Sequence, residues 1–209
     1  GPAGDPLTDH LGILAKYKLP SHFPKQVRQE LEAIPKQVGA SETKGREDLR
    51  GRFTLTVDPV DARDFDDALS LHSLKDGKIE VGVHIADVSA YVGAGTALDK
   101  EAYRRGNSTY LVGEVVPMLP KQLSNGICSL VEDEDRLAKS VLYTFDRKGN
   151  ILGQRLAETV IRSDKRLTYE QAKLLMDEEN LSKVRSAKPP ESRYSGAPGT
   201  LLAKLPEKK

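Results

Sequence analysis

Phe53-Thr-Leu-Thr-Val-Asp58-Pro-Val-Asp61-Ala-Arg-Asp64-Phe-Asp66-Asp67-Ala-Leu-Ser70 is the stretch on which the reading of this chain turns. Phe53, Leu55 and Val57 alternate with Thr54 and Thr56, the period-two pattern of a half-buried strand, here with the apolar residues inward. Asp58-Pro59 ends it. Residues 58–67 then hold five aspartates against one arginine. A second strand follows at once. Carboxylates packed this closely repel one another unless cations neutralise them. A solvated acidic loop is the plain alternative. However, this cluster contains Pro59 and Phe65 and sits between two strands, which holds its charges near a core and favours a metal site.

Working outward, residues 67–74 and 79–86 flank Lys75-Asp76-Gly77-Lys78, and Asp-Gly is a strong two-residue hairpin turn. That turn sets Lys75 against Lys78, Leu69 against His84 and Asp67 against Ala86. Asp67 and His84 then share a sheet face within diagonal reach, whereas a slip of one residue separates them. His84 is therefore a candidate to orient a ligating aspartate or to touch phosphate. The competing reading is a hydrogen-bonded sheet histidine. In the second strand Ile79, Val81, Val83 and Ile85 point one way, and Glu80, Gly82 and His84 the other.

Before the sheet, residues 7–35 read as helical, with Leu11, Leu14 and Tyr17 on one face, a break at Leu19-Pro20, a restart at Pro24 and a stop at Pro35. Residues 36–50 are polar and read as a linker. After it, Thr96 to Arg105 reads as a capped helix closed by Gly106. Residues 115–120 are too proline-rich for a central strand. Further strands are expected at about 137–146 and 151–161, and Thr168-Tyr169-Glu170-Gln171 is a capping box that opens a helix. From 182 onward, prolines, glycines and seven Lys/Arg against two Glu suggest a mobile basic tail. The fold class is α+β, with a mixed, largely antiparallel sheet and flanking helices.

Composition excludes several function classes. A single cysteine, Cys128, rules out an internal disulfide framework and a thiolate zinc cluster, and makes a reducing, cytoplasmic setting the default. Cys128 and Met118 read as core. The four histidines lack metal-ligand spacing. No apolar run approaches the roughly 18 residues needed to span a bilayer, so no membrane partner is expected. The net charge of +1 lacks the basic excess common in nucleic-acid binders. Lys100, Arg104 and Arg105 are candidate phosphate contacts, though charges on a helix face are usually just solvated.

An all-carboxylate site suits hard cations, magnesium or manganese, rather than zinc or copper. A calcium EF-hand loop read from Asp64 fails, because its sixth place lacks glycine and its twelfth lacks glutamate. Several carboxylates can hold two ions about 4 Å apart, the geometry that cleaves phosphodiesters.

Thr56 to Ser70 resembles the opening motif of the catalytic domain of the ribonuclease II/ribonuclease R family, the RNB domain, and is most similar to bacterial ribonuclease R-like members. The similarity continues through Val83-His-Ile-Ala-Asp-Val-Ser89, Leu98-Asp-Lys-Glu-Ala102, Arg105-Gly-Asn-Ser-Thr-Tyr-Leu111, Val116-Pro-Met-Leu-Pro120, Leu123-Ser-Asn-Gly-Ile-Cys-Ser-Leu130, Asp135-Arg-Leu-Ala138 and Arg166-Leu-Thr-Tyr169. The blocks run in order from about 46 to 172.

The resemblance implies a helical connector at 1–45, the N-terminal part of an RNB catalytic domain at 46–181 and the tail at 182–209. It implies hydrolytic 3′→5′ degradation of single-stranded RNA to nucleoside 5′-monophosphates with magnesium, for which manganese can substitute. Asp58, Asp64, Asp66 and Asp67 match the family's active-site aspartates; Asp61 does not. Asp58 and Asp67 would hold a first metal, Asp66 would position a second metal and the attacking water, and Asp64 would complete the set. Tyr110 and Tyr169 match tyrosines that contact the 3′-terminal nucleotides; the alternative for each is a core tyrosine. The family's later block, His-x-x-Phe-Thr-Ser-Pro-Ile-Arg-Arg-Tyr, which carries the arginine that clamps the scissile phosphate, does not occur in this sequence. The competing expectation is a catalytically incompetent fragment or an RNA-binding module that keeps the fold. No protein partner is expected from the sequence.

Overall fold

The computed structural model describes residues 6–20, 22–111 and 114–176. In chain order the elements are α1 (Pro6–Lys16), α2 (Lys25–Glu32), α3 (Ala40–Thr43), β1 (Glu47–Asp48), β2 (Phe53–Asp58), β3 (Asp67–Ser73), β4 (Ile79–Ala86), α4 (Ala97–Arg105), β5 (Thr109–Leu111), β6 (Glu114–Val116), β7 (Asp135–Phe145), β8 (Ile151–Arg162), β9 (Lys165–Thr168) and α5 (Tyr169–Met176). The described residues fall into two compact units, one within 6–35 and 89–123, the other within 36–88 and 124–176. The expected tail at 182–209 lies outside the described residues.

The first unit holds α1, α2, α4 and the β5–β6 hairpin. The helical stretch breaks at Lys18, whose φ is +53°, and resumes after Pro24, which caps α2. Leu11 and Tyr17 stay exposed, whereas Val27 is buried. Helix α4 starts as its sequence expects. The Thr96 hydroxyl accepts from the Asp99 N–H at 3.2 Å, and Gly106 closes the helix at a φ of +78°. Glu30 reinforces this start, accepting from the Ala97 and Leu98 N–H groups at 2.8 Å each. Arg105 is a structural tie rather than a phosphate contact. It donates to the carbonyls of His22 and Pro117 at 2.8 and 3.0 Å and stacks 3.8 Å from the Phe23 ring centroid. Arg104 is held by Glu101 at 2.6 Å.

The second unit is a seven-stranded sheet in the order β1-β8-β7-β4-β3-β2-β9. β1–β8 and β2–β9 are parallel and the remaining pairs antiparallel, the expected mixed, largely antiparallel α+β arrangement. Thr168 and Gln171 close the capping box reciprocally, at 2.8 and 3.2 Å, and so start α5.

Three expectations need correction. Residues 36–50 are not a linker: α3 and β1 form there, and Leu49 is only 3% exposed in the main core with Phe65, Leu130, Leu142 and Ile161. The charges that suggested a linker are spent on long-range pairs, Arg46 on Asp87 at 2.6 Å and Glu47 on Arg155 at 2.5 Å.

In β2 the threonines are buried and Phe53, Leu55 and Val57 only half-buried. The same inversion holds in β4, where Glu80, Gly82, His84 and Ala86 face inward. Glu80 is buried because Arg52 pairs with it.

The hairpin register is one residue off the expected one. Ala68 stands opposite His84, and Asp67 opposite Ile85. Asp76 and Gly77 do adopt positive φ, at 61° and 71°, but Lys75 joins them in a three-residue turn. An extra turn residue moves the pairing by one position.

Candidate functional site

The aspartate loop runs from the last residue of β2 to the first of β3. Asp58 is fixed by the parallel pairing of β2 with β9, where it stands opposite Thr168. Asp67 is fixed by its pairing with Ile85. Between them the chain is tied down by its backbone. The Ala62 N–H donates to the Pro59 carbonyl at 3.0 Å. Ser129 donates to the Arg63 carbonyl at 2.9 Å and accepts from the Phe65 N–H at 3.0 Å. The Leu130 N–H donates to the Phe65 carbonyl, and the Ala86 N–H to the Asp66 carbonyl, both at 2.9 Å. Phe65, 5% exposed, plugs the loop into the core.

These ties point the carboxylates into one neighbourhood. Asp58 is buried, Asp64 half-buried, and Asp66 and Asp67 exposed. Burial pushes the Asp58 pKa up to about 6; the charges of Asp67 and Asp64 push the same way, and Arg166 and the Thr56 hydroxyl pull against them. Asp66 is raised as well, by loss of water around its carboxylate and then by the charges of Asp64 and Asp67. The charges of Asp64 and Asp67 thus act on both Asp58 and Asp66.

The donor set fits a hard divalent cation. All four groups offer carboxylate oxygens, the ligands that magnesium and manganese prefer. Asp58 Oδ2 is buried without a hydrogen-bond partner, and such an oxygen is satisfied by a cation as well as by a donor. Among the described residues, no three His, Cys, Asp or Glu side chains already converge into a closed ligand cage. Asp58, Asp64, Asp66 and Asp67 are the residues of this loop that would hold a metal.

His84 is placed apart from Asp67 by the observed register, on the buried face of the sheet. Its two ring nitrogens bond Ser140 Oγ at 2.7 Å and Ser70 Oγ at 2.8 Å. Ser140 bonds Thr159 Oγ1 at 2.7 Å, and Thr159 donates to the Ala138 carbonyl at 3.2 Å. That last donation fixes the direction of the chain. Thr159 accepts from Ser140, Ser140 accepts from His84 Nδ1–H, and Nε2 accepts from Ser70. Burial, with the Arg52 charge adding, lowers the His84 pKa to about 4. His84 has the environment of a neutral, fully bonded sheet histidine. Gly82 makes room for it: a Cβ there would stand 2.4 Å from Ser70 Oγ and 2.6 Å from His84 Nε2.

Tyr110 on β5 is 67% exposed, and Tyr169 at the start of α5 is 57% exposed. Neither is a core tyrosine. They belong to different units. Cys128 is core: it is buried, and burial pushes its thiol up to about 12.

Two residues at the loop carried no assignment in the sequence. Ser129 lies within a recognisable block, but nothing local tells that its hydroxyl brackets Phe65. Arg166 looks like a strand charge. In the structure it is 1% exposed and donates through Nη2 to the Pro59 and Val60 carbonyls, at 2.5 and 3.1 Å.

Comparison with known proteins gives the same family at every level. The RNB domain family matches residues 46–202. Ribonuclease R of Thermotoga maritima is 46% identical over 180 residues, covering 85% of this chain and 25% of that protein. Ribonuclease R of Aquifex aeolicus is 46% identical over 164 residues, covering 78% of this chain and 23% of that protein. The chain thus spans about a quarter of the length of these curated relatives. The structure of Mycoplasma genitalium RNase R in complex with double-stranded RNA matches with a TM-score of 0.76 at 31% identity, over 86% of this chain and 32% of that one. Yeast Ssd1, a pseudonuclease, shares the fold, with a TM-score of 0.71 at 21% identity over 89% of this chain and 24% of that one. On the family match and the ordered aspartate loop together, the chain belongs to the RNB domain family.

Proposed function

We propose that this chain carries the aspartate site of a metal-dependent, hydrolytic 3′→5′ exoribonuclease that degrades single-stranded RNA to nucleoside 5′-monophosphates. Residues 46–181 form the N-terminal part of its catalytic domain and residues 1–45 the connector before it. The observation that carries the reading is the placement of Asp58, Asp64, Asp66 and Asp67 on one loop whose backbone is tied to Ser129, Leu130 and Ala86, in a chain whose relatives are named ribonucleases. The setting that accompanies it is a bacterial cytoplasm.

In this reading Asp58 and Asp67 would hold one magnesium or manganese ion, Asp66 would orient the attacking water beside a second, and Asp64 would complete the set. The bound ions would supply a water nucleophile at neutral pH and neutralise charge at the leaving oxygen. The chain's own residues do the positioning. Ser129 and Phe65 keep the loop backbone against the core, which limits the movement left to the side chains. Tyr110 and Tyr169 offer exposed aromatic faces on which any base can stack, a grip independent of sequence. No membrane-spanning helix occurs among the described residues.

The alternative is an RNA-binding module that keeps the fold without turnover. One experiment separates the two. A 5′-labelled single-stranded RNA is incubated with the chain and magnesium or manganese, alongside chelator and Asp66→Asn controls. Shortening from the 3′ end, lost in both controls, is expected if the site turns over. Asp66→Asn is expected to cost more than 100-fold in rate, because it removes a metal ligand, while leaving RNA affinity within about twofold. Intact RNA with retained RNA binding selects the binding module, and full activity in Asp66→Asn sinks the site assignment.

A further inference from the structure

Arg166 is the largest fully buried side chain among the described residues. A buried guanidinium is expensive to desolvate, and an apolar residue of similar volume would fill a core at least as well. Its contacts indicate a more specific role. Nη2 bridges the Pro59 and Val60 carbonyls, immediately after Asp58. The guanidinium carbon lies 5.5 Å from the centroid of Phe65, between Asp64 and Asp66. The Arg166 backbone N–H donates to Glu132 at 2.9 Å, and neighbouring Lys165 pairs with the same carboxylate at 2.9 Å. The arginine is therefore anchored from behind and touches the aspartate loop at both ends.

Its remaining donors add a second observation. Nε and Nη1 are buried and unpaired, as is Asp58 Oδ2. Arg166 attracts the Asp58 carboxylate through its charge, yet its hydrogen bonds go to the backbone. It can hold the loop and balance Asp58 without capping the oxygen that a cation needs.

We propose that Arg166 is a positioning residue for the aspartate site: its fork on the Pro59 and Val60 carbonyls is the post around which the loop from Asp58 to Asp66 is wound. The proposal rests on the reading of the aspartates as metal ligands. Lysine is the discriminating replacement. It keeps the charge and much of the stem but lacks the planar fork.

The test titrates Mn²⁺ into the wild-type chain and Arg166→Lys, following free Mn²⁺ by electron paramagnetic resonance. Amide hydrogen exchange is measured in the same two proteins without metal. Arg166→Lys is expected to bind Mn²⁺ roughly tenfold more weakly, the usual scale for losing a group that orients ligands. Its amides at 60–66 are expected to exchange faster while those of β7 and β8 do not change. A folded Arg166→Lys with wild-type Mn²⁺ affinity and wild-type exchange at 60–66 overturns the proposal, and so does exchange that quickens uniformly across the sheet. If the variant does not fold, the wild-type chain decides. Its Arg166 Nε–H resonance is expected to shift on adding Mg²⁺, and a resonance that does not respond while Mg²⁺ binds refutes the role. If the wild-type chain binds neither ion, the metal reading fails on its own, and the exchange at 60–66 in Arg166→Lys still confirms or refutes Arg166 as the post of the loop.

Discussion

One face of the central sheet carries Thr54, Thr56, Ser70, His84, Ser140 and Thr159, each 3% exposed or less. The opposite face carries Leu69, Leu71, Ile85 and Leu156, exposed by 44, 48, 50 and 81%. An ordinary half-buried sheet would reverse these sets. The polar face is tolerated inside because nearly all of it is bonded: Thr54 donates to the Arg52 carbonyl at 3.0 Å, and among these side chains only the Thr56 hydroxyl lacks a hydrogen-bond partner. Each nitrogen of His84 has a serine partner on a neighbouring strand, and the chain of hydroxyls ends on a backbone carbonyl. A buried polar group costs free energy only when its partner is missing. Burial therefore follows from satisfied bonding as much as from hydrophobicity. The aspartate site stands where the faces meet: Asp58 is in phase with Thr54 and Thr56, and Asp67 pairs on the aliphatic side with Ile85.

Breaking the inner network should have the largest effect on stability. His84→Ala leaves Ser70 and Ser140 without their partner and opens a cavity. It is expected to cost roughly 3–4 kcal/mol in urea unfolding. A loss under about 1 kcal/mol would mean that the network does not carry the inner face.

Acidification sharpens the comparison. Folded His84 titrates near pH 4 against 6.5 for an ordinary histidine, so the unfolded chain takes up the proton first. The stability contributed by neutral His84 is complete above pH 6.5 and is lost as pH falls toward 4, about 3 kcal/mol in all. Asp58 acts in the opposite sense. Its carboxyl is raised from 3.8 to about 6, so the folded chain binds that proton first and gains stability as pH falls through the same window; Asp66 shifts in that direction too. Without metal the wild-type curve is expected to be nearly flat from pH 6.5 to 4. Asp58→Asn removes the larger carboxylate contribution, and its unfolding free energy should drop across that window by up to about 3 kcal/mol. A variant curve as flat as the wild type would show that His84 does not stay neutral when folded.

The smallest effect belongs to the outer face. Leu156→Thr is expected to change the unfolding free energy by about 0.5 kcal/mol or less, since the side chain already stands in water. A loss above about 2 kcal/mol in the isolated chain would show that this face is covered in solution.

Local chemistry made much of this protein legible. Alternation marked the strands, Asp76-Gly77 the hairpin, and Thr96 with Gly106 the bounds of α4. The box Thr168-Tyr169-Glu170-Gln171 marked the start of α5, and the aspartate loop declared itself by like charges crowded between strands. Each signal acts within a few residues of chain, so the sequence alone determined it. Which face of each strand is buried, the one-residue register of the hairpin, the burial of Leu49 and the roles of Arg105, Ser129 and Arg166 were decided only by tertiary structure. Apart from the register, which the three-residue turn Lys75–Gly77 shifts locally, the deciding partner lies farther off along the chain: Thr159 and Ser70 around the His84 network, Val160 for Leu49, Pro59 and Val60 for Arg166. A polar side chain looks solvent-facing until the fold brings it the donor or acceptor that makes its burial affordable, and that pairing is a property of the folded chain as a whole.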